Sequence, residues 1–261
     1  MAFSELLDKL PTISQALAYL PTQLIPRQVL PPMPSLPTLD HVRRAAAYPF
    51  TRARLTDVCG TGDRQTVIDF FGAPHVTVVV QARTTNSGLA VNEFDVAAAH
   101  HLTQFLAGVG VDSELQLTKK DGSFTVDRPG VVVIASPKTS PTVAADVAAD
   151  PFIRFRRQKA GRWAVEDVVL GTVWNSPADE GLTGSDVAYI ARTPHGAGFY
   201  LTVAGIHAQG SLAAAHHLAD AGVLRAYNDE YRGRRFSAVV SGDVTADPAR
   251  PVSSRLEAVH G

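Results

Sequence analysis

Three polar loops hold the residues with chemistry to offer. The first follows the short apolar run Tyr200–Ala204, where Gly205 and Gly210 bracket Ile206, His207, Ala208 and Gln209, and Ser211 opens an Ala-rich run that Gly222 can close. The pattern reads as strand, Gly-bounded loop and helix starting at Ser211. The first N–H groups of a helix lack intrahelical partners and carry the positive end of its dipole, so they suit a phosphate or carboxylate. Glycine at both ends lets backbone approach a ligand without a Cβ in the way. The second loop, Ser136-Pro137-Lys138-Thr139-Ser140, follows the apolar run Gly130–Ala135 and adds the Lys138 charge. The third, Gln81 to Val91, follows Val76–Val80 and holds Arg83, Thr84, Asn86 and Gly88. The expected ligand-binding set is therefore Arg83, Thr84, Asn86, Ser136, Lys138, Thr139, His207, Gln209, Gly210 and Ser211, with a small anionic ligand or nucleotide as partner.

Catalytic roles rest on two weak candidates. Glu93 lies close to the third loop, where it would hold ribose hydroxyls or stabilise an oxocarbenium-like transition state in N-glycosidic cleavage. Its plainer role is a first-turn carboxylate beside a helix N-terminus. His207 offers a proton donor or a phosphate contact near neutral pH, and equally a loop histidine with an ordinary hydrogen bond. The Gly205, Gly210, Ser211 spacing resembles a phosphate loop without its lysine, which argues against ATP or GTP hydrolysis. His100-His101 and His216-His217 are adjacent pairs, about 100° apart on a helix, and cannot chelate a metal as i, i+4 histidines do. Gly60-Thr61-Gly62 suits an anion nest, but Asp63 more simply caps the following helix. No metal and no cofactor are expected.

The elements that must position these loops are strands buried on both faces, Val76–Val80, Val131–Ala135 and Tyr200–Ala204, each followed by a polar loop and a helix start. Phe236–Val240 is a fourth core strand. Asn92 caps a helix over 94–106, and Ser140 caps one that begins at Pro141. The short connection Thr193–Gly198 makes the strands on either side of it antiparallel neighbours. Between 152 and 174 the period changes to strand-like alternation, predicting a hairpin-rich insertion. Its Arg154, Arg156, Arg157, Lys159 and Arg162 form a basic cluster, on a solvated outer face or else an anion or nucleic-acid contact. The predicted fold is α/β, a Rossmann-like, mostly parallel sheet flanked by helices, with an extended Pro-rich N-terminal arm. Residues 1–54 form the N-terminal helix and arm, 55–245 the α/β domain, and 246–261 an irregular tail.

The arm, Pro21–Pro37, carries six prolines and is too apolar for a solvated linker. It packs on its own domain or crosses to a second copy, making a homo-oligomer. Composition is that of a globular protein, 45% hydrophobic and 19% charged with net charge −1, so no bulk attraction to nucleic acid is implied. The single Cys59 excludes an internal disulfide and fits a reducing cytoplasm. No apolar run approaches a membrane span, and no membrane partner is expected. Heavy use of Ala, Val, Asp and Arg suggests a bacterial source.

The alternation of buried strands with capped helices over roughly 55–243 is similar to nucleotide-binding Rossmann-like domains, including bacterial ones that sense nucleotide signals or cleave nicotinamide nucleotides. No GxGxxG follows the first strand, so a dinucleotide-dependent oxidoreductase is not expected. The function expected first is a ligand-sensing or regulatory module binding a nucleotide or phosphorylated small molecule at the carboxyl edge of the sheet. The alternatives are an enzyme cleaving a nucleotide or nucleoside N-glycosidic bond, and an assembly protein that uses its arm.

Overall fold

The computed structural model describes residues 61–261 apart from 86, 87 and 197. The arm, the 55–59 strand, Asn86 and Cys59 lie outside the described residues.

Seven strands form one mixed sheet. Four run parallel and side by side: β10 (Gly198–Gly205), β5 (Val131–Ile134), β1 (His75–Val80) and β4 (Asp112–Leu117). On the other flank, β9 (Ser185–His195) pairs antiparallel with β10, β11 (Phe236–Ala246) with β9, and β12 (Ala249–His260) with β11. Three of the six strand pairings are thus antiparallel, and the expectation of a mostly parallel sheet is corrected to a parallel core with an antiparallel flank. The tight β9–β10 turn dictates this, because two strands joined by so short a link can only run antiparallel.

β12 also corrects the irregular tail. Pro251 offers no N–H to a ladder, which made this stretch read as non-strand, but an edge strand tolerates it. β12 is the outermost strand of its flank, and the pairing with β11 shifts register between Asp243 and Val244, beside Pro251.

Both faces of the core strands are apolar, as covered parallel strands require. In β1 and β5, Val76, Val78, Val80, Val132 and Ile134 face one layer, while Val79, Val131 and Val133 face the other. The first layer is α1 (Thr61–Phe71), α2 (Glu93–Gly108), α4 (Ala208–Leu218) and α5 (Ala221–Tyr231). Phe70, Leu102, Leu106 and Leu212 are fully buried there. Removing such a side chain, Leu102→Ala for example, costs about 2–5 kcal/mol. The second layer is α3 (Pro141–Ala148) and a separate three-stranded sheet of β6 (Ile153–Arg157), β7 (Trp163–Asp167) and β8 (Val173–Asn175).

Local signals place the helices. The Asn92 side chain accepts the Phe94 N–H at 2.9 Å, and Ser140 accepts the Val143 N–H at 3.4 Å. α1 ends at Gly72, whose φ of 74° suits glycine. Asp63 lies inside α1 instead of capping it, and pairs with Arg225 at 2.9 Å. Residues 81–91, expected as loop, hold a two-stranded hairpin, β2 (Ala82–Thr85) and β3 (Gly88–Val91).

Candidate functional site

Because β1, β5 and β10 are parallel, the segments that follow them, 81–91, 135–140 and 206–207, gather at one edge. The start of β9 lies there too, since Gly205 pairs with Ala188.

The helix after β10 starts earlier than the sequence implied. His207 is the N-cap of α4 and Ala208 its first residue, so Gly210 and Ser211 sit inside the first turn. The two glycines serve the packing of backbone on backbone. A Cβ on Gly205 would lie 1.9 Å from the His207 carbonyl oxygen, and one on Gly210 would lie 2.6 Å from the Val187 carbonyl oxygen. The anion-suited N–H groups are already engaged by the chain itself. Asp186 Oδ2 accepts the His207 N–H at 2.7 Å and the Gly210 N–H at 2.8 Å. Asp186 is 1% exposed, and burial pushes its carboxyl up, opposed by these N–H donors and by the Ser176 hydroxyl.

Ionisable groups converge around that carboxylate. Lys138 Nζ donates to the Ile206 carbonyl and lies 5.7 Å from the centre of the Trp163 ring. Partial burial lowers its ammonium, Asp186 and Asp179 hold it up, and the like charge of Arg83 lowers it further. His207 Nε2 meets Asp179 Oδ1 at 3.0 Å, and the ring is 37% exposed. Asp179 stands on a short 3-10 turn, Pro177–Glu180, behind the buried cap Ser176.

One turn further along α4, Ser211 Oγ accepts the Gly205 N–H at 3.3 Å and bonds the carboxyl of Asp95, in the first turn of α2. Burial pushes Asp95 up to about 6, against the pull of the Ser211 hydrogen bond and of Arg83. One helical turn separates His207 from Ser211, so the Lys138–His207–Asp179 group and the Arg83–Asp95–Ser211 group flank one helix start.

The remaining sequence-derived candidates take quieter places. Ser136 is a turn residue: its Oγ accepts the Lys138 N–H at 3.3 Å and its carbonyl accepts the Thr139 and Ser140 N–H groups. Thr139 is exposed and Gln209 half-buried. Thr84 pairs with Leu89 in the hairpin backbone. Glu93 is exposed in the first turn of α2.

Sequence reasoning missed Asp186, Asp179 and Gln81, and gave Asp95 no part in a site. Gln81 is 4% exposed, and its Oε1 accepts the Ser136 N–H at 2.9 Å, tying the second loop to the end of β1. The signal for Asp186 and Gln81 is a polar residue abutting a run of buried ones, in Ser185-Asp186-Val187 and Val80-Gln81-Ala82.

The histidine pairs fall elsewhere. His101 Nε2 meets His216 Nδ1 at 3.2 Å between α2 and α4. His217 is buried against the Tyr227 hydroxyl at 2.9 Å, and burial lowers it to about 4. Among the described residues no group of three or more His, Cys, Asp or Glu side chains is placed to hold a metal ion. Comparison of the sequence with protein-family models and with curated proteins finds no match.

Proposed function

We propose that the protein is a ligand-binding α/β module that takes a nucleotide or another phosphorylated small molecule at the carboxyl edge of its sheet, in a sensing or regulatory role. One observation carries this reading. Arg83 and Lys138 stand on two different strand-end segments within range of one another's charge, with Asp186 and Asp179 near Lys138 and Asp95 near Arg83 but no ion pair closed to either cation by a described residue. A phosphate bound between them would take charge-assisted hydrogen bonds from both cations. The anion meets these side chains and not the N–H groups at Gly210, because Asp186 occupies those. Asp95 beside Arg83, held by the Ser211 hydroxyl, supplies an acceptor for the sugar of a nucleotide.

The Lys138 ammonium and the guanidinium of Arg83 would act as charge partners, and Asp186 as the brace that fixes the helix start behind them. A second reading, cleavage of an N-glycosidic bond, draws on the His207–Asp179 pair. A carboxylate that fixes one ring nitrogen leaves the other to move a proton, and the largely buried Asp95 is available to face a developing cation.

A thermal-shift panel of nucleoside monophosphates, nucleoside diphosphates and sugar phosphates tests the proposal. Binding raises the melting temperature by linkage, by an amount equivalent to about 2.7 kcal/mol at a hundredfold excess over Kd. A stabilising compound that is recovered intact supports sensing, and one that is converted supports the enzyme. No stabilisation by any anion in the panel would defeat both.

A further inference from the structure

The small second sheet reaches the edge that Lys138 occupies. β6 and β7 form a hairpin whose base sets Ile153 opposite Asp167 and whose tip sets Arg157 opposite Trp163. The base is anchored far from that edge. Asp150 Oδ1 accepts the Ile153 N–H at 3.2 Å, its Oδ2 takes the Ser237 hydroxyl near the start of β11, and Asp167 meets His260 near the end of β12 at 2.7 Å. The tip lies at the second polar loop, where the Trp163 ring centre is 5.7 Å from Lys138 Nζ. β8 then leads straight into Ser176 and the turn that carries Asp179.

The tip is firmly built. The Gln158 N–H donates to the Arg162 carbonyl at 2.8 Å, and the Gly161 N–H donates to the Gln158 carbonyl at 3.2 Å. The Gln158 side chain donates to Asn175 Oδ1 of β8 at 2.6 Å. Alternation along β6 puts Arg157 on the face of Ile153 and Phe155, which packs on the main sheet. Its cross-strand partner Trp163 shares that face. Arg157 is nevertheless exposed, so the tip projects past the packed layer.

Charge is unevenly spread along the hairpin. Arg156, one residue nearer the base, pairs with Glu166 at 3.2 Å. No acidic residue occurs between 151 and 165. Arg157, Lys159 and Arg162 at the tip are exposed and form no ion pair with a described residue.

We infer that the ligand of the carboxyl edge is a nucleoside di- or triphosphate, whose outer phosphates meet Arg157 and Arg162 while Lys138 and Arg83 hold the first. The inference rests on the reading of that edge as a phosphate site. Two cations already serve a single phosphate, and three more on a fixed turn at the same edge match a longer anion. Guanidinium groups suit it, because each can bond two phosphate oxygens at once. A polynucleotide would need cations continued along a groove, whereas these end at one turn on a chain of net charge −1.

Calorimetric titration of the full chain in metal-free buffer is the test. The probes are the mono-, di- and triphosphates of adenosine, guanosine, cytidine and uridine, with a mixed-sequence single-stranded oligonucleotide. For the base that binds, the triphosphate should be held about tenfold or more tightly than the monophosphate. The paired change Arg157→Gln, Arg162→Gln should erase that difference and leave the monophosphate affinity within about twofold. Arg154→Gln, on the opposite face of β6, should preserve it. All three arginines are exposed, so the melting temperature should not move, and Arg162→Gln alone replaces the pair if it does. Equal affinity for mono- and triphosphate, a difference that survives the tip changes, or tighter binding of the oligonucleotide would overturn the inference and leave the phosphate reading standing. No binding of any probe would overturn both.

Discussion

Strand β9 carries a buried acid near one end and a buried base near the other, and each satisfies a helix terminus. Asp186 takes N–H groups at the start of α4. Arg192, 1% exposed, donates from Nε to the Arg234 carbonyl at 3.1 Å and from a terminal nitrogen to the carbonyl of Tyr231, the last residue of α5. In both cases the chain's own charge meets the opposite pole of a helix dipole. Their neighbours differ. Arg192 lies among the rings of Phe70, Phe199 and Phe236, about 5 to 6 Å from each centre. Asp186 lies among Lys138, Asp179 and His207. A filled helix end is therefore not what marks a site. What separates the two ends is the set of ionisable groups gathered around Asp186, against the cage of rings around Arg192.

The largest effect should come from the structural end. Arg192→Met removes two charge-assisted hydrogen bonds, leaving the Tyr231 carbonyl with the Arg234 N–H alone, and should destabilise the fold by about 3–5 kcal/mol, read by urea denaturation, with any ligand affinity unchanged. A loss below about 1 kcal/mol would mean that the guanidinium is no strut, and would point instead to a role in the 570 Å³ cleft that it lines between α1 and α5.

Asp186→Ala orphans the His207 N–H at the other end and leaves the Gly210 N–H with the His207 carbonyl alone. It should cost about 2–3 kcal/mol and weaken ligand binding as well, because the start of α4 shifts. Loss of stability with binding intact would separate the helix start from the site.

Asp95→Asn should go the opposite way in sign. The folded carboxyl sits at about 6, above its ordinary 3.8, so its contribution to stability is present below about pH 4 and is lost as pH rises through 6. The amide removes the charged form. The variant should therefore be more stable than the native protein by about 3 kcal/mol at pH 8, and close to it near pH 4. A gap that does not vary with pH would show that Asp95 is not strained by burial.

The sequence carried the parts whose physics is local. The apolar runs of β1, β5 and β10 and the caps Asn92 and Ser140 are readable because burial on both faces and an orphan N–H leave composition signatures. The antiparallel flank was less legible. β12 is a polar, Pro-containing edge strand held by its ladder to β11, which no pattern within 249–260 announces. At the carboxyl edge of the sheet the loops were legible, whereas the pairings among their side chains were not. Lys138 and Arg83 stood out as charges in strand-end loops, whereas Asp186 comes to α4 only through the pairing of β9 with β10. That pairing also explains why glycines resembling a phosphate cradle pack against the protein's own backbone.

The most direct test is calorimetric titration of a compound that stabilises the protein into the native form, Lys138→Ala, Arg83→Ala and the double variant. Each single change should weaken binding by about 1–3 kcal/mol while leaving Arg192-dependent stability untouched. The double change should cost less or more than the sum, since both charges meet one anion. Affinity unchanged in both single variants would contradict the account and move the site away from the carboxyl edge.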